Sequence, residues 1–115
     1  MKIPPSRLEA HRGASGAYPE NTMLAFAKAR EAGALSIETD LSLLADGGFA
    51  VFHDSALGRT VAGDASLDSL TSAEIATMDA GAWRRQEFAG ETVPLLEDLL
   101  HWQADTGMRF NLEMQ

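Results

Sequence analysis

The chain has 115 residues, enough for one domain with a core, and its 45% apolar and 23% charged residues are an ordinary globular mixture. A net charge of −8 excludes a non-specific grip on nucleic-acid phosphates or anionic lipid, so an anionic substrate would have to meet a local cation cluster or a bound metal. There is no cysteine, which removes disulfides, thiolate metal sites and a cysteine nucleophile.

The opening MKIPPSRLEAHRG lacks the apolar stretch of a secretory signal, and no apolar run approaches membrane-spanning length; a soluble, cytoplasmic protein is the expectation. Leu8 to His11 is predicted as a short strand entering a loop. From Asn21 the pattern turns helical, through Leu24, Phe26, Ala27 and Ala29 to Ala32, with Asn21 suited to the N-cap and Gly33 to the stop. LSIETDLSLL then alternates: Leu35, Ile37, Thr39 and Leu41 take one face of a strand, and Ser36, Glu38, Asp40 and Ser42 the other. Asp46-Gly47 reads as a two-residue hairpin turn leading into GFAVFHD.

The stretch from Ser55 to about Thr92 departs from this alternating scaffold and reads as an insertion. It contains a capping-box signature, Thr71 to Glu74, ahead of a short helix. Pro94 is predicted to open a helix with a stripe of Leu95, Leu96, Leu99 and Leu100 and a stop at Gly107. RFNLEMQ closes the chain as a strand, with Phe110, Leu112 and Met114 set against Asn111, Glu113 and Gln115. Strand, helix, strand, insertion, helix, strand is an α/β pattern suited to a parallel sheet.

Glu38 and Asp40 lie two apart on one strand face, about 7 Å from each other along the strand, and Glu113 sits likewise on the last strand. A solvated sheet face would account for Glu38 and Asp40 alone. Three inward-facing carboxylates repel one another unless a cation lies between them, and a hard divalent ion such as Mg²⁺ or Ca²⁺ prefers oxygen ligands. If Asp46-Gly47 is the whole turn, Ala45 opposes Gly48 and Asp40 opposes His53, making His53 a candidate acid or base. With the first strand beside the second, His11 supplies another acid or base and Arg12 a fork for phosphate oxygens. This is equipment for breaking a phosphodiester.

In these segments the chain resembles the glycerophosphodiester phosphodiesterase family: HRGASGAYPENT, IETDLSLLADGGFAVFHDSALGRT, VPLLEDLL and FNLEM occur in the family's order from about Leu8 to the last residue. The resemblance implies a (β/α)8 TIM barrel of which residues 1–115 are the N-terminal portion, with a small insertion at about 55–92 after the third strand. It implies metal ligands at Glu38, Asp40 and Glu113, catalytic histidines at His11 and His53, and a phosphate-binding arginine at Arg12. Glu20 and Asn21 match the Pro-Glu-Asn-Thr element, which shapes the loop and caps the helix. The family usually has a lysine where this chain has Gln115, and a neutral amide stabilises a charged transition state less.

The implied activity is metal-dependent hydrolysis of a glycerophosphodiester to glycerol 3-phosphate and an alcohol, a reaction of lipid and glycerol metabolism. A whole barrel takes ~250 residues, so the expectation is a fragment whose last strand leaves an open edge. Either the remaining half of the barrel or a second copy would cover that edge. Two rival readings are a phospholipase-D-like relative on the same barrel and an inactive fragment serving as an assembly or binding module.

Overall fold

The computed structural model describes residues 9–115. Four strands and three helices run in the order β1 (Glu9–His11), α1 (Met23–Glu31), β2 (Ser36–Leu43), β3 (Phe49–Val51), α2 (Ser72–Ile75), α3 (Leu96–Thr106) and β4 (Arg109–Met114). Leu8, expected at the head of the first strand, lies outside the described residues. β2 pairs with β4 in parallel from Ser36↔Arg109 to Leu41↔Met114. Its other edge is shared, with β1 parallel at Ser36–Glu38 and β3 antiparallel at Leu41–Leu43. The parallel set is therefore β1, β2 and β4, and residues 55–92 follow the arm of a hairpin.

α1 is capped by Thr22, whose hydroxyl accepts the Ala25 N–H at 3.2 Å, and not by Asn21. Asn21 has a left-handed backbone (φ 54°), which passes the cap to the next residue and turns its own amide towards β2. The helix ends in a Schellman turn: Gly33 N–H bonds to Arg30 O and Ala34 N–H to Ala29 O, with Gly33 at φ 93°. Leu35, expected on the apolar face, precedes β2 and is 57% exposed.

The hairpin turn contains one residue more than expected. Leu44 and Gly48 close it, with Leu44 N–H on Gly48 O at 2.9 Å and Gly47 in the left-handed region at φ 85°, so three residues form the loop. Leu43 then pairs with Phe49 and Leu41 with Val51. It is Phe52 whose N–H reaches Asp40 O, at 3.0 Å. His53 sits one residue further on, not opposite Asp40, and a one-residue slip changes the face a side chain takes.

Two apolar clusters hold these elements. One packs Phe26, Ile37, Leu41, Val51, Leu99 and Met108 between the sheet and helices α1 and α3. The other gathers Leu44 and Phe52 with Val61, Leu67, Leu70 and Ile75 from the 55–92 segment, which thus has its own core. Full burial of side chains such as Phe26, Leu99 or Ile75 stabilises by about 1.5–3 kcal/mol each. The capping box is present: Thr71 Oγ1 accepts the Glu74 N–H and Glu74 accepts the Thr71 N–H.

α3 begins at Leu96, later than Pro94, because Pro94 and Leu95 are still bonded to β3. Val51 N–H donates to Pro94 O at 2.8 Å, and Leu95 bridges Ala50. The inward stripe is Leu96, Leu99 and Trp102, whereas Leu100 turns outward and is 49% exposed. Gly107 ends the helix in the left-handed conformation. On β4, Phe110 meets Phe26 and Trp102 edge-on, with ring centroids 5.5 and 5.8 Å apart. Leu112 and Met114 on the same strand are exposed.

Candidate active site

One carboxylate oxygen from each of Glu38, Asp40 and Glu113 lies within 4.8 Å of the other two. The strands dictate this: Glu38 and Asp40 share a face of β2, and the parallel register sets Glu113 of β4 directly beside Asp40. Asp40 is 1% exposed, Glu38 8%, and Glu113 is exposed. Both Asp40 oxygens are engaged, Oδ2 by the Asn21 amide at 3.0 Å and Oδ1 by the Gln115 amide at 2.9 Å. The Thr39 hydroxyl donates to Asn21 Oδ1 and fixes that amide's orientation.

Glu38 is different. Among the described residues its buried Oε1 has no hydrogen-bond partner. Burial, and next the Asp40 charge, push its carboxyl above the usual range, with His11 and Arg12 opposing only in part. An all-oxygen donor set with an orphaned buried oxygen fits a hard divalent cation, which takes oxygens at about 2.0–2.6 Å.

His11 and Arg12 come from the end of β1. His11 pairs with Glu38 across the parallel ladder, and its Nε2 lies 3.6 Å from Glu38 Oε2. Arg12 has a left-handed backbone at φ 58°, an uncommon state for a non-glycine residue. Its N–H still bonds to Glu38 O of β2 at 2.7 Å, so the chain turns as it leaves β1. Gly13 follows at φ 82°, and a β-carbon there would stand 2.8–2.9 Å from Ala25 atoms. Only glycine lets this loop seat against α1.

The Arg12 guanidinium does not stand clear as a phosphate fork. Its Nη1 donates to Glu20 Oε2 at 3.2 Å, and its Nε is 3.3 Å from Asp40 Oδ2. Two of its nitrogens therefore face carboxylates.

His53 joins the site by another route than the one expected. Its Nδ1 lies 2.8 Å from Asp54 Oδ1, and its ring borders a small crevice shared with Glu20 and Asn21. Asp54 in turn accepts Arg59 Nε at 2.8 Å and Nη2 at 3.2 Å. Arg59 reaches on to Glu20 with two bonds of 2.7 Å, and Glu20 meets Arg12. For Glu20, burial would raise the carboxyl, but the hydrogen bonds and charge of Arg59, helped by Arg12, bring it below the usual range.

Sequence reasoning missed Asp54 and Arg59. The signal available was an acid adjacent to His53, with an unassigned arginine in the same motif-bearing stretch. The bond from Gln115 to Asp40 was also missed, because it joins residues 75 positions apart. Glu20, expected only to shape its loop, is instead the shared anchor of Arg12 and Arg59.

The family profile described as "Glycerophosphoryl diester phosphodiesterase family" matches residues 11–115. The chain is similar to the glycerophosphodiester phosphodiesterase of Caldanaerobacter subterraneus subsp. tengcongensis, 40% identical over 106 residues, covering 92% of this chain and 44% of that protein. Among solved structures it resembles a glycerophosphodiester phosphodiesterase from Agrobacterium tumefaciens (38% identity, TM-score 0.87, covering 92% of this chain and 46% of that one). It also resembles an Oleispira antarctica phosphodiesterase solved with the product sn-glycerol-3-phosphate (39% identity, TM-score 0.87, covering 93% of this chain and 43% of that one). The chain thus spans less than half the length of these relatives. Parallel β1, β2 and β4 with their crossover helices are the N-terminal portion of a (β/α)8 barrel. A profile match from His11 to the last residue, joined to that shared backbone, means that the chain belongs to the glycerophosphoryl diester phosphodiesterase family.

Proposed function

We propose that this chain forms the first part of an enzyme hydrolysing glycerophosphodiesters to glycerol 3-phosphate and an alcohol. One observation carries the reading: Glu38, Asp40 and Glu113 converge within 4.8 Å beside His11 and Arg12. The family match and the product named for the Oleispira structure support it. Residues 1–115 are taken as an incomplete barrel domain with its insertion at 55–92, and the β4 edge away from β2, unpaired among the described residues, is assigned to the barrel's next strand.

Glu38, Asp40 and Glu113 would hold a divalent cation, Mg²⁺ or Ca²⁺. When bound, such an ion supplies Lewis acidity and a template for phosphate oxygens. Arg12 places positive charge beside that cluster and orients a phosphate, with Glu20 fixing the guanidinium. His11 and His53 divide the proton work, one taking a proton from the nucleophile and the other giving one to the leaving alkoxide. Asn21 holds the Asp40 carboxylate in place.

The test is hydrolysis of glycerophosphocholine by a protein carrying this chain within a complete barrel, followed by release of glycerol 3-phosphate and choline. Release of phosphocholine, or no turnover with either cation supplied, would overturn the reading. Among the described residues no helix is long and apolar enough to cross a membrane.

A further inference from the structure

Asp54 and Arg59 belong to none of the roles above, yet they form the most densely bonded polar group beside His53. An ionised carboxylate has no proton to donate, so the 2.8 Å contact between Asp54 Oδ1 and His53 Nδ1 requires the proton on Nδ1. Asp54 adjoins His53 in sequence and is only partly buried, and on its own it would hold the ring loosely. Arg59 removes that freedom. It grips Asp54 through Nε and Nη2 and Glu20 through Nη1 and Nη2, and its guanidinium lies over the Trp83 ring at 5.9 Å. Glu20 is in turn fixed by Arg12.

We propose that Asp54 and Arg59 are positioning residues that hold His53 in the Nδ1-protonated form, leaving Nε2 as the nitrogen that exchanges protons. The role in turnover rests on the functional reading above; the proton's position does not. The charged groups around His53 are Asp54, with Arg59 behind it, and Glu20 across the crevice, while Asn21 and Thr60 are neutral neighbours. Asp54 is held below the usual carboxylate range, chiefly by the Arg59 hydrogen bonds, which outweigh its burial, with a lesser contribution from His53. Its proton therefore stays on the ring. The bland alternative is that Arg59 merely staples the 55–92 segment to the opening loop, which would leave the His53 tautomer indifferent to Asp54.

Imidazole ¹⁵N shifts of His53, in a protein carrying this chain within a complete barrel, separate the two. The wild type should show the proton on Nδ1. In Asp54→Asn the shorter Arg59 bond, at the Oδ2 position, retains the amide oxygen and turns the NH₂ towards Nδ1. The proton should then move to Nε2, with kcat down by roughly 10²–10⁴ and KM little changed. Arg59→Gln should lose part of the Nδ1-protonated population, and Arg59→Lys should restore only part of it, since an ammonium cannot fork to two carboxylates. A wild-type ring protonated on Nε2, or an Asp54→Asn protein with unchanged tautomer and kcat, overturns the proposal. A wild type protonated on Nδ1 that cleaves no glycerophosphodiester supports the Asp54–His53 assignment and removes the functional reading alone.

Discussion

Gln115 donates its side-chain amide to Oδ1 of Asp40 at 2.9 Å, placing the residue that stands where the sequence resemblance implies a lysine directly on a candidate metal ligand. The amide satisfies the carboxylate without bringing a charge that a phosphate could use. Gln115→Lys should raise turnover about tenfold and lower KM for the diester, because a fixed ammonium attracts the phosphate in the ground state and more strongly as charge develops in the transition state. Steady-state kinetics on the complete barrel measure this. Unchanged or lower kcat would show that the site is adapted to an amide.

Asp40→Asn should weaken Mg²⁺ or Ca²⁺ binding by roughly tenfold or more, since it removes one of three anionic ligands. Calorimetric titration of wild type and variant with each cation is the check. Equal affinities in the two proteins would take the metal site out of this account.

His11→Ala and His53→Ala should each reduce kcat by roughly 10² to 10⁴ while leaving KM nearly constant, because proton transfer counts only in the transition state. Arg12→Ala should behave differently and raise KM as well. It also releases Glu20 and Asp40 from a shared guanidinium. Near-normal turnover in either histidine variant would end its acid or base role.

Asp79 anchors the 55–92 segment by accepting the N–H groups of Gly81, Ala82 and Gly90, each at 2.8 Å. The bonds from Ala82, then Gly90 and Gly81, lower its carboxyl from the ordinary value of 3.8. A carboxylate whose folded value is depressed contributes stability above its ordinary value and loses it as pH falls through the folded value. Asp79→Ala should therefore lower stability at neutral pH, modestly because solvent screens this exposed carboxylate, and the gap from wild type should narrow as pH falls below about 3.8. Urea midpoints for both proteins between pH 7 and 2 measure it; a gap independent of pH would mean that the bonds do not depend on ionisation.

Much of the frame was legible because it follows short-range rules. The alternation of β2, the Thr71–Glu74 capping box and the glycine stops at Gly33 and Gly107 each depend on residues a few positions apart. Pairing Glu38 and Asp40 on one face needed only the strand period. The hairpin failed at one residue: Asp46-Gly47 signals a turn, but Gly47 closes a three-residue loop, and the difference moves Phe52 to where His53 was expected. Asn21 was misassigned as a cap because its partners, Asp40 and Thr39, lie on a distant strand. Arg59 escaped for the same reason, since its fork to Glu20 spans 39 positions.

The edge-on contact of Phe110 with Phe26 and Trp102 reaches further than packing. Phe110 and Glu113 are an odd number of residues apart on β4, so seating the ring among the helices commits the carboxylate to the opposite side, next to Asp40. The aromatic trio acts as an alignment key: it sets which β4 residues can meet β2 at all. A chain that lost the key could keep every chemical group of the site and still fail to assemble it, because a shift of one position would exchange Glu113 for an apolar neighbour. Core changes around Phe110 should accordingly surface as lost cation affinity before they surface as lost fold.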